Sequence, residues 1–171
     1  GGKGSGGTIF APSQRKASED RFILTAQQYL DRNHIMVYLQ DAVRMVLETR
    51  DERPLHTISK YFQSVLQGSH VLLREFTFVN ATPRNRLAFV RILVDTFKGF
   101  AIDAEMTVSE HRQLVCLLCP DFPTTVHHAM QPYMPNWPDE AAVYKYPVLS
   151  AFFQVMFVFA EFVEHVSKLF A

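Results

Sequence analysis

The stretch PLHTISKYFQSVLQG, residues 54–68, decides the fold. Pro54 stands where a helix begins, because the N–H it lacks is one that a first turn leaves unbonded anyway. Leu55, Ile58, Phe62, Val65 and Leu66 come at spacings of three and four, which places them on one helical face. Gly68 comes where a left-handed residue ends a helix. Start, stripe and stop together define an amphipathic helix that must cover its apolar side with other elements.

Outward from this helix the same pattern repeats. Upstream, Asp51-Glu52-Arg53 forms a turn, and Val37, Val43, Val46 and Leu47 share one side of a preceding helix, widened by Ile35, Met36 and Leu39. Asn33 is its expected cap, and Asp20 the cap of an earlier segment carrying Phe22, Ile23, Ala26, Tyr29 and Leu30. Downstream, Phe76-Thr77-Phe78-Val79 favours a strand by propensity. Leu72, Leu73, Phe76 and Val79 also fit a helical face, and helix is preferred because no second strand stands ready to pair.

Thr82-Pro83 reads as a cap and first-turn proline for a helix with Leu87, Phe89, Val90, Leu93, Val94 and Phe97, stopped at Gly99. Thr107 and Glu110 form a capping box for a helix through Leu114, Val115, Leu117 and Leu118, ending before Pro120. Thr124 or Thr125 opens a short helix. Prolines 132, 135 and 138 then interrupt regular structure, with Trp137 among them. Pro147 opens a last helix so rich in Phe152, Phe153, Val155, Met156, Phe157, Phe159, Phe162 and Val163 that it is apolar around most of its circumference. Such a helix lies centrally in a core or under a partner.

The expected fold is therefore all-α, a compact domain of about six to eight helices. The expected divisions are a flexible leader or arm at 1–20, a helical docking-like region at 21–68, and a helical core with the Phe-rich final helix at 69–171. GGKGSGG reads as a linker and is set aside from the fold.

Composition narrows the function. Lys+Arg and Asp+Glu are 17 each, so the formal charge is zero. This lacks the basic footprint that nucleic acid requires, and argues against a direct grip on any strongly acidic surface. Five of the seven glycines lie in the leader, leaving only Gly68 and Gly99. No phosphate loop, dinucleotide fingerprint or nucleophile elbow can be written with these two. The apolar run from Val148 to Val163 is broken by Ser150, Gln154 and Glu161, short of what a membrane span needs. Two cysteines three residues apart suggest a reducing compartment rather than a disulfide framework.

Candidate chemistry is sparse. Cys116 and Cys119 with His127 and His128 supply zinc-type donors, but adjacent histidines rarely reach one ion together, so no metal is expected. An EF-hand loop begun at Asp95 puts Phe97, Gly99, Ala101 and Met106 at positions 3, 5, 7 and 12, which are not calcium ligands. No catalytic residues and no cofactor are expected. Arg84, Arg86 and Arg91 form a basic cluster that reads as a solvated face before an acidic-partner site. Trp137 anchors its loop either to the core or to a partner.

Two stretches carry a resemblance: REFTFVNATPRNR at 74–86 and LLCPDFP at 117–123. Together, and with the order of features from about Tyr29 to Val166, they are similar to the centriolar-satellite-associated regulator family of the tubulin polyglutamylase complex. Within it, LETRDERPL at 47–55 with ISKYF at 58–62 resembles the DPY-30 and protein kinase A regulatory-subunit docking helix pair. That resemblance implies a groove for an amphipathic partner helix, or a second copy, through residues 34–68. Degenerate EF-hand-like helix–loop–helix units are expected beyond it.

The family resemblance implies a non-catalytic adaptor or scaffold associated with microtubules, in the cytoplasm and cytoskeleton at centriolar satellites, the cilium or the axoneme. Its partners would be microtubule-associated or ciliary proteins, with neither nucleic acid nor membrane involved. Val43, Leu47, Ile58, Phe62, Trp137 and Phe157 are the expected partner-binding residues. The rival expectation is an interaction domain of degenerate EF-hand or zinc-stabilised type, unrelated to polyglutamylation.

Overall fold

A computed structural model describes residues 23–100, 103–135, 141–159, 162 and 166. The described elements are helices joined by short turns, with one small antiparallel pairing, so the all-α expectation holds. The chain divides into two compact units, residues 1–50 and 51–171.

The first unit contains α1 (Ala26–Arg32) and α2 (Ile35–Thr49), which pack against each other. The start of α1 differs from expectation. Thr25 caps it, accepting from Gln28 N at 3.2 Å, while the Gln28 side chain accepts from Thr25 N at 2.9 Å. Asp20 lies outside the described residues. Asn33 closes α1 instead of opening α2, its amide donating to Tyr29 O at 2.8 Å. The residue before α2 is His34, in the left-handed region at φ 52°. An amide side chain can serve either helix end, and the turn's left-handed residue came one position later.

The second unit begins at a turn where the Asp51 carboxylate accepts from Arg53 N at 2.8 Å and Thr57 Oγ1 at 3.0 Å. Helix α3 (Pro54–Gln67) ends at Gly68, φ 81°, as its sequence requires. Its buried edge is not the expected one. Tyr61 and Val65 are buried, whereas Leu55 and Leu66 are exposed. Helical spacing says which residues share a stripe, but not which edge of the stripe the fold covers.

Residues 71–73 form a turn with Leu73 left-handed, and only α4 (Phe76–Val79) is helical in the ambiguous 71–79 stretch. Helix α5 (Pro83–Phe97) is capped by Thr82, which accepts from Asn85 N at 3.0 Å. Gly99 comes after it without a positive φ, so the expected glycine stop operates at Gly68 alone. Helix α6 (Val108–Leu118) carries the capping box of Thr107 and Glu110. Helix α7 (Thr125–Met130), a 3₁₀ turn (Gln131–Tyr133) and α8 (Tyr146–Val158) complete the unit. Ahead of α6 and α8, β1 (Glu105–Thr107) and β2 (Val143–Lys145) pair antiparallel, with Met106 opposite Tyr144. Two three-residue strands carry too little alternation to register in a sequence pattern.

Helix α8 packs against α5, α6 and α7, which makes it the central element expected of so apolar a helix. The core is aromatic. Phe122 stacks on Phe89 at 5.6 Å between centroids and meets Phe76 and Phe157 edge-on at 5.0 and 5.2 Å. Offset and edge-to-face pairs of this kind add to the burial of each ring.

The two motifs behind the resemblance meet here. The Asp121 carboxylate accepts from Phe76 N at 2.9 and 3.1 Å, and Leu73 N donates to Leu118 O at 3.1 Å. Within 74–86, the Oδ1 of buried Asn85 accepts from His70 Nε2 at 2.9 Å, and its Nδ2 donates to Phe78 O at 2.8 Å. Buried Arg86 donates to Asn80 O at 3.0 Å. The unusual residues of both motifs thus satisfy backbone groups inside the fold, a structural demand.

Candidate protein-binding surfaces

On α2 the spacing of three and four puts Met36, Leu39, Val43 and Leu47 on one face, and all four are exposed, Leu47 at 68%. Tyr38, Asp41 and Ala42 are the buried residues of the same helix. Two of the expected partner-binding residues, Val43 and Leu47, therefore lie on an open apolar stripe. Ile58 and Phe62 are half-buried on α3, Phe62 edge-on to Tyr61 at 5.3 Å. Trp137 lies outside the described residues.

Phe157 requires a correction. It is 1% exposed and stacks on Phe153 at 5.7 Å, so it is a core ring and not a surface anchor. The open side of α8 is the opposite one. Val148, Ala151, Phe152, Val155 and Met156, with Tyr133, Pro147, Phe162 and Val166, line a groove of about 710 Å³. Among the described residues its lining contains no charged residue. Val148, Val155 and Phe162 stand seven residues apart, a spacing legible in the sequence but hidden among the many apolar neighbours of this helix.

The zinc-type donors do not converge. Cys119 is buried, its thiol 3.3 Å from Asp121 Oδ1, and burial with that carboxylate pushes its pKa up to about 12. Cys116 is half-buried, and Leu117 between them is 64% exposed. His127 faces His111 instead, Nε2 to Nδ1 at 3.3 Å, both rings buried among Phe122, Phe153 and Tyr146. Burial pushes both imidazoles well below 6.5, His111 to about 4. A proton on His127 is disfavoured further by electrostatic repulsion from the neighbouring His111, Arg112 and His128 side chains. Both rings are neutral at pH 7, and one N–H donates to the other ring's lone pair. Among the described residues no three His, Cys, Asp or Glu side chains group as metal ligands.

The loop before α6 fares no better as a calcium site. With Glu110 taken as the twelfth position, the first and third are Gly99 and Ala101, which offer no side-chain oxygen. The Glu110 carboxylate is engaged with Thr107 N at 2.7 Å and Thr107 Oγ1 at 3.0 Å. No described helix is long and apolar enough to cross a membrane.

These features define a class, a mostly helical domain whose salient surfaces are apolar faces of helices. Comparison with known proteins narrows it. Residues 23–68 match the family model described as the CSTPP1 N-terminal domain. Over 160 residues the chain is 34% identical to the "Centriolar satellite-associated tubulin polyglutamylase complex regulator 1" proteins of Homo sapiens and Mus musculus. Over 162 residues it is 34% identical to that of Danio rerio. The chain is similar to this regulator family over these residues. The matches cover 90–91% of this chain and 48% of each relative, so the chain spans about half the length of the curated relatives it matches. No solved structure matches.

Proposed function

We propose that the chain is a non-catalytic regulator of tubulin polyglutamylation that acts by binding proteins at centriolar satellites. The observation that carries this reading is the 34% identity along 90% of the chain to proteins named for that role. The geometry supports it. The exposed stripe Met36, Leu39, Val43 and Leu47 lies within the segment matching the family's N-terminal domain, and the described lining of the α8 groove is predominantly apolar. Each suits the apolar face of a partner's amphipathic helix, with anchors at i, i+3, i+4 and i+7. Regulation would then proceed by scaffolding, the chain holding complex subunits together without touching the glutamate chemistry.

The test is co-precipitation of polyglutamylase subunits with tagged wild type, Leu47→Asp and Val155→Asp, with tubulin polyglutamylation blotted in parallel. Recovery of the subunits by wild type and a loss of at least about tenfold in either variant is expected, since a charge buried in an apolar interface is strongly disfavoured. Equal recovery by all three would end the surface assignment. Recovery by none would end the polyglutamylase reading.

One observation favours a second reading. The β1–β2 pairing lies directly before α6 and α8, as in a pair of helix–loop–helix units joined at their loops. A degenerate EF-hand-like interaction domain would have this shape. A thermal shift with calcium or zinc would favour a metal-stabilised form of it.

A further inference from the structure

We propose that the cleft between α3 and α5 binds an acidic peptide segment carrying one leucine-sized anchor. The cleft measures about 220 Å³ and is lined by Val65, Leu66 and Gly68 from one helix end, and Arg84, Leu87, Ala88 and Arg91 from the other helix. Leu66 and Leu87 are exposed, Leu66 at 74%. An apolar floor open to water is flanked by two guanidinium groups, and among the described residues no acidic side chain lines it.

The arginines are arranged for a ligand. Residues 84, 87, 88 and 91 fall at i, i+3, i+4 and i+7 on α5, so Arg84 and Arg91 leave the helix about 10 Å apart along its axis, with Leu87 between them. Arg84 occupies the first turn of α5, where the helix dipole disfavours a cation and favours an anion. Its guanidinium is held by donation to Val65 O at 3.2 Å. Arg91 makes no hydrogen bond or ion pair among the described residues, not even with Asp95 one turn on. The neighbouring Arg86, by contrast, is buried and bonded to Asn80 O, so the basic cluster separates into one structural and two available cations.

In an extended peptide two carboxylates four residues apart share a face and stand about 13 Å apart at about 3.3 Å per residue, a span that two long arginine side chains rooted about 10 Å apart can cover. A leucine between them would reach Leu66 and Leu87. The zero net charge of the chain does not oppose this, because a net charge is a sum and the cleft is local. The cleft's chemistry is independent of the regulator reading, and its test uses purified components only.

The probe is a fluorescein-labelled peptide with two glutamates four residues apart and a leucine midway between them, titrated with the purified chain at low and physiological salt. Binding is expected, weakened about tenfold by Arg91→Glu and severalfold by Leu87→Ala, and weakened by salt. Replacing the glutamates by glutamine should abolish it, and Arg32→Glu, an exposed charge reversal outside the cleft, should leave it unchanged. Thermal midpoints of the variants establish that they fold. The proposal is overturned if the glutamine peptide binds as well, if Arg91→Glu is silent, or if a leucine-free oligoglutamate binds equally. Binding to phosphatidylserine vesicles but not to the peptide would also overturn it, in favour of a membrane surface.

Discussion

His111 and His127 are two bases stored in an aromatic core. Each is neutral in the folded chain, pushed below its ordinary value chiefly by burial. In the unfolded chain each titrates near 6.5. Below that pH the unfolded state binds more protons, so folding stability falls as pH falls, by about 1.4 kcal/mol per unit for each ring. The window runs from 6.5 down to about 4, where His111 begins to charge in place. Urea midpoints measured from pH 7 to 4.5 should therefore decline in wild type, and more shallowly in His127→Leu. Parallel slopes would show that the pair is not the source. Phe122 offers a second residue-scale test. It is 1% exposed between Phe76, Phe89, Phe153 and Phe157. Phe122→Ala should cost ~3–5 kcal/mol in denaturant unfolding, since rings on all sides cannot collapse onto the void.

Elements were legible where their ends carry chemistry. The Thr82-Pro83 start, the Thr107–Glu110 box and the Gly68 stop are local hydrogen-bond and backbone devices, and a local device is readable in a local string. Asn33 and Gly99 fail the same logic because each residue type has more than one local use. Gly68 and Gly99 make the contrast measurable. Gly68 is left-handed, with an added Cβ in contact with Ala88 Cβ at 3.5 Å, whereas Gly99 has ordinary backbone and open space. Gly68→Ala should lower stability by about 1 kcal/mol. Gly99→Ala should stay within about 0.5 kcal/mol of wild type. A shared response in thermal unfolding would contradict this assignment of helix ends.

At the scale of the whole molecule, covering decides role. Phe157 and Val155 lie two residues apart on α8, yet one is core and the other is 46% exposed. Val155→Asp should leave the unfolding free energy measured in urea within about 0.5 kcal/mol of wild type, while Phe157→Asp should prevent folding. Equal effects would mean that the groove is not open in solution. The expected binding residues divide in the same way. Val43 and Leu47 are on an open stripe, Ile58 and Phe62 are half-covered, and Phe157 is covered completely.

By itself the sequence determined that the chain is helical, where most helices start and stop, and which family it resembles. Periodicity, capping groups and motif residues act within one or two turns, so they can be read without a fold. Only the tertiary structure decided which side of each stripe is covered. It joined Asp121 to Phe76, paired His111 with His127, and separated buried Arg86 from the open Arg84 and Arg91. Those outcomes depend on contacts between residues far apart in the chain, and no helical spacing records what will pack against it.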